Sequence, residues 1–78
     1  MLVDIYQSST HARRFAAVQT GNPVAFSKVS NESDFIDAQL VLQGIDLASG
    51  TYFVGLDAAP IVQQVADKGF ALFTASMR

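Results

Sequence analysis

Between Asp57 and Gly69 the sequence marks both ends of one helix, and no other stretch of the chain limits its fold as much. Asp57 is a good N-cap, because its short carboxylate can take orphan backbone N–H groups of a first turn. Pro60 fits inside that turn, where its missing N–H costs little. Ile61, Val62, Val65 and Ala66 then recur at helical spacing, with Gln63, Gln64, Asp67 and Lys68 on the opposite side. Gly69 suits the left-handed position that closes a last turn. Such a stripe has to be buried, and most of what the remaining chain offers to cover it is β-prone.

Residues 2–7 read as a half-buried strand, with Val3 and Ile5 on one face and Asp4 and Tyr6 on the other. Ser8-Ser9-Thr10-His11 is a polar interruption, and residues 13–20 form a second β-prone run. A five-residue loop over residues 8–12 would set Ile5 opposite Phe15, Val3 opposite Ala17 and Tyr6 opposite Arg14, leaving Asp4 diagonal to Arg14. Gly21-Asn22-Pro23 ends this hairpin. Phe26-Ser27-Lys28-Val29 reads as a short extended piece, and Ser30-Asn31-Glu32-Ser33-Asp34 as the start of a short helix.

Gln39-Leu40-Val41-Leu42-Gln43 predicts a third strand, bent at Gly44 and reaching toward Leu47. A turn at residues 46–50 and the alternating run at residues 51–56 predict a second hairpin. Residues 70–75 are apolar at nearly every position, which predicts a last strand in the middle of the sheet with both faces covered. The fold class expected is α+β: a single mostly antiparallel sheet of about four to five strands, one main helix and one short helix, ββ(α)ββαβ and sandwich-like. Which strands are neighbours does not follow from the pattern.

At 78 residues this is read as one domain, residues 1–78, enclosing a single core. There is no cysteine, so a disulfide framework and any thiolate metal site are ruled out. Half the residues are apolar and 15% are charged, far from the composition of disorder. No apolar run has the length of a signal peptide or a membrane span. A cytoplasmic protein is expected.

The pattern resembles a family of small bacterial proteins that carry the YcgL domain. The likeness lies in Ile5-Tyr6-Gln7-Ser8-Ser9 with Phe15 and Val18, then Phe26-Ser27-Lys28-Val29, Gln39-Leu40, and Ile61-Val62-Gln63-Gln64-Val65 running into Gly69-Phe70-Ala71-Leu72. These are packing and turn residues, and their order covers most of the chain. The resemblance implies helices about a sheet and brings no active site. It also implies a basic residue where Gln7 stands, and a proline-containing segment with a further helix beyond the last strand. With the chain ending at Arg78, the resemblance implies a sheet face or edge left less covered and open to self-association.

Residues able to carry chemistry are few. His11, the one histidine, stands beside Ser8, Ser9 and Thr10, but nucleophilic catalysis also needs an orienting carboxylate and oxyanion donors. An exposed turn residue is the simpler account of His11. The acids form no spaced pair, and Gly50, Gly55 and Gly69 make no phosphate loop, since no lysine follows at the required spacing. No enzyme, cofactor or metal is therefore expected. His11, Arg13 and Arg14, with Lys28 nearby and Tyr6 on the same face, form the one cationic concentration; such a group can bind single-stranded nucleic acid. The net charge of −2 argues against nucleic acid as the main partner, and a solvated hairpin with Arg14 paired to Asp4 is the simpler account. The expected function is a non-catalytic interaction or regulatory domain with a protein partner or itself, as a homodimer. Its expected surface is Tyr6, His11, Arg13, Arg14 and Tyr52, with weak nucleic-acid binding as the alternative.

Overall fold

The computed structural model describes residues 1–22, 27, 29, 35–49 and 52–77. Its main sheet has four strands: β1 (Val3–Gln7), β2 (Arg14–Gln19), β3 (Gln39–Ile45) and β5 (Phe70–Thr74). Their order is β3-β1-β2-β5, every neighbour antiparallel. A second sheet pairs β4 (Phe53–Val54) with β6 (Ser76–Met77). A 3-10 turn at Leu47–Ser49 and the helix α1 (Ala58–Lys68) complete the described elements. The chain is α+β, as its sequence predicts. Among the described residues no helix is long and apolar enough to cross a membrane.

Strand alternation sorts the apolar residues onto two faces. Val3, Ile5, Phe15, Ala17 and Ala71 point to one side, where Leu47, Phe53, Ile61 and Val65 cover them. Ala16 and Val18 point to the other side and meet Val29 and Phe35. The sheet is thus packed on both faces. At the centre of the first face, Phe15 stands edge-on to Phe53 with ring centroids 5.0 Å apart and stacks on Phe73 at 5.7 Å. Phe53 and Phe73 close the triangle edge-on at 5.3 Å, a geometry the aromatic quadrupole favours. This cluster is what fastens the small sheet to the large one.

The helix follows its sequence signals. The Asp57 carboxylate accepts the Ala59 N–H at 3.2 Å, Ile61 and Val65 are buried, and Gly69 has φ 88° with its N–H donating to the Val65 carbonyl. Ala66, at the margin of the predicted stripe, is exposed.

Four expectations are corrected. The β1–β2 hairpin pairs Gln7 with Phe15, Tyr6 with Ala16, Ile5 with Ala17, Asp4 with Val18 and Val3 with Gln19, two residues away from the predicted register. The predicted apolar face survives, because a shift of two keeps every side chain on its side. The longer turn is held by Ser8, whose hydroxyl oxygen accepts the N–H groups of Thr10 and His11, both at 3.1 Å. Second, β3 and β4 form no hairpin. Beyond Ile45 the chain enters the 3-10 turn, where Asp46 accepts the Ala48 N–H and Leu47 is buried, and this carries it off the sheet. Third, among the described residues β5 is an edge strand. The strand buried on both faces is β2, through Phe15, Ala16, Ala17 and Val18. Fourth, Ser27 and Val29 lie in helical backbone, not extended. The helix start predicted at residues 30–34 lies outside the described residues, as do Phe26 and Lys28.

Candidate functional site

The loop that follows β1 fixes the cationic residues. Besides the two bonds to its hydroxyl, Ser8 donates its own N–H to the Arg14 carbonyl at 2.9 Å, the Arg14 N–H reaches the His11 carbonyl at 3.0 Å, and Gln7 Nε2 reaches the Ala12 carbonyl at 2.7 Å. His11, Arg13 and Arg14 thereby line, with Thr74, a shallow depression of about 280 Å³ at one end of β5. His11 and Arg13 are exposed and Arg14 is half-buried. Tyr6 shares a sheet face with Arg14, one rung away on the diagonal, since its direct partner is Ala16. Tyr52 is not brought to this group. It packs against the core on the α1 side of the sheet.

Asp4 does not pair with Arg14. Its Oδ1 accepts the Thr20 hydroxyl and the Gly44 N–H, each at 2.8 Å. Beside it, burial first and then the Asp4 charge push the Tyr6 phenol above its ordinary value. Asp4 and Tyr6 line a polar recess of about 260 Å³ with Gln19, Asn22 and Gln43. A larger, mostly apolar groove of about 600 Å³ runs between the 3-10 turn and α1, past Leu47, Leu56, Val62 and Ala66. Among the described residues no group of three or more His, Asp or Glu is placed to hold a metal ion.

The two edges of the main sheet differ. The register of β3 on β1 slips twice, between Val3 and Ile5 and between Ile5 and Tyr6, and Gly44 has φ 63°. Bulges of this kind bend an edge away from further pairing. On the opposite side, β5 pairs with β2 without a break, Arg14 with Thr74 through Val18 with Phe70. The Ala75 N–H donates to the Arg13 carbonyl at 2.9 Å, so alternation turns Ala71, Phe73 and Ala75 toward β2. The backbone N–H and C=O groups of Phe70, Leu72 and Thr74 point the other way. No described strand pairs with them. Their strand carries no charge and no proline, and Phe70, Leu72 and Phe73 are each only half-buried.

The sequence reading missed this edge. Its signal is the apolar run at residues 70–73, a composition that predicts a central strand. No protein-family model, curated protein or solved structure matches this chain. Function is therefore argued from its own residues.

Proposed function

We propose that this chain is a small non-catalytic interaction or regulatory domain that engages another polypeptide along the outer edge of β5. One observation carries this: a strand with the composition of a sheet interior stands at a sheet margin with an unbroken row of outward backbone groups. An uncovered, regular, uncharged edge is a template for strand addition. Natural sheets usually protect such edges with charge, proline or bulges, and β3 carries the bulges while β5 carries none. The depression lined by His11, Arg13, Arg14 and Thr74 adjoins the same edge and would supply polar contacts at its rim. A YcgL-like identity and a cytoplasmic setting belong to the proposal as well.

A photo-crosslinking amino acid in place of exposed Thr74, activated in living cells, should form adducts with polypeptide. The same probe at Gln64, on the solvent side of α1, should not. Equal and negligible labelling at both positions would remove the edge from consideration. A second reading, weak binding of single-stranded nucleic acid, draws on the depression that gathers His11, Arg13 and Arg14.

A further inference from the structure

We infer that the polypeptide which completes β5 is a second copy of this chain, paired β5 to β5 and antiparallel about a two-fold axis at Leu72. This pairing rests on the reading of β5 as an interaction edge and names its occupant. The strand is self-complementary in that register. Leu72 meets the partner's Leu72, Phe70 meets the partner's Thr74, and Ala71 meets the partner's Phe73. A small side chain is thus set against a large one on the α1 face of the sheet. On the opposite face the half-buried Phe70 and Leu72 acquire apolar neighbours.

The hydrogen-bond phase agrees. Since Phe70, Leu72 and Thr74 turn their backbone groups outward, both the Leu72 rung and the two Phe70–Thr74 rungs fall on bonded pairs, giving about six inter-chain bonds. An axis at Ala71 or Phe73 would keep the phase but leave only two bonded rungs within β5, Phe70–Leu72 or Leu72–Thr74, about four bonds in place of six. The contact is isologous, so it closes at two copies and joins two four-stranded sheets into one of eight. It also explains why residues 70–73 have the composition of a central strand: in the pair, β5 has a neighbour on each side.

Three measurements test this on the intact chain. Sedimentation should show a monomer–dimer equilibrium at micromolar concentration. Thr74→Pro removes an N–H that no described residue of the same chain accepts, so it should weaken association at least about tenfold while leaving unchanged the thermal midpoint measured at concentrations low enough for both proteins to be monomeric. Because the chain has no cysteine, Leu72→Cys introduces a single thiol. Its Cα lies about 5.5 Å from its counterpart in a bonded pair, within disulfide range, whereas two thiols from Thr74→Cys would sit about 14 Å apart. Oxidation should therefore crosslink Leu72→Cys rapidly and leave Thr74→Cys monomeric, an outcome that decides the matter even if Thr74→Pro does not fold. A monomer up to roughly millimolar concentration, or equal crosslinking at the two positions, overturns self-pairing. If in that case the photo-probe at position 74 still labels a different polypeptide, the edge remains an interaction site with another occupant. If it labels nothing, both readings fall together.

Discussion

Asp4 and Gly44 are tied across two strands: one carboxylate oxygen of Asp4 accepts the Gly44 backbone N–H at 2.8 Å while also holding the Thr20 hydroxyl. The bond meets β3 where its register slips against β1 and satisfies a backbone donor at the bulge. Asp4→Ala should cost about 1–3 kcal/mol, the usual loss when a charged acceptor is taken from its donors. Gly44→Ala should cost about 1–2 kcal/mol for a different reason. A Cβ there would meet no atom within 4 Å, but φ 63° is a backbone region that alanine avoids. Urea unfolding of both variants checks the pair, and a silent Asp4→Ala would mean that the bulge holds without it.

Val65 and Gln64 are adjacent on α1 and face opposite environments: Val65 is 1% exposed and Gln64 is exposed. Val65→Asp places a carboxylate against the sheet and should destabilise the domain by about 3 kcal/mol or more. Gln64→Asp should stay within about 0.5 kcal/mol of the parent. Thermal melts of the two variants decide the helical phase, since equal effects would place the buried stripe elsewhere.

The difference between what the sequence shows and what it hides is one of range. Asp57, Pro60 and Gly69 act on backbone groups within a turn of themselves, so the helix was legible, as was the face shared by Val3 and Ile5. The hairpin register was not, because it depends on a Ser8 hydroxyl gathering two residues of the loop, Thr10 and His11. Nor was the place of β5. Apolar composition reports that a strand has cover to find, and it cannot say whether that cover comes from this chain or from another. The proposed surface was legible only in part: Tyr6 and Arg14 do share a face, whereas Tyr52 lies across the sheet, since β4 leaves the main sheet to pair with β6.

The raised Tyr6 phenol has a consequence at alkaline pH. In the unfolded chain it ionises near pH 10; in the folded chain, burial and the Asp4 charge hold its proton to higher pH. The stabilisation this represents is fully present below pH 10 and is lost as pH rises through the higher, folded value. Urea midpoints of the parent and Tyr6→Phe should therefore differ by a constant amount between about pH 7 and 9 and then diverge above about pH 10, the parent losing stability faster. A constant difference throughout would show that Tyr6 titrates as freely when folded as when unfolded.

His11, Arg13 and Arg14 should give only weak, salt-sensitive affinity for single-stranded nucleic acid. The two arginines can neutralise about two phosphates, and the salt dependence of binding scales with that number. A net charge of −2 opposes even this at long range. Among the described residues the site contains no stacking platform beyond Tyr6, which is half-buried and diagonal to Arg14, so base stacking by these residues adds little to the phosphate contacts. Titration of fluorescent single-stranded RNA and DNA at low and physiological salt, with Arg13→Ala/Arg14→Ala as control, should show binding that falls away as salt rises. Tight binding that persists at physiological salt and vanishes in the double variant would make nucleic-acid recognition the leading function of this surface.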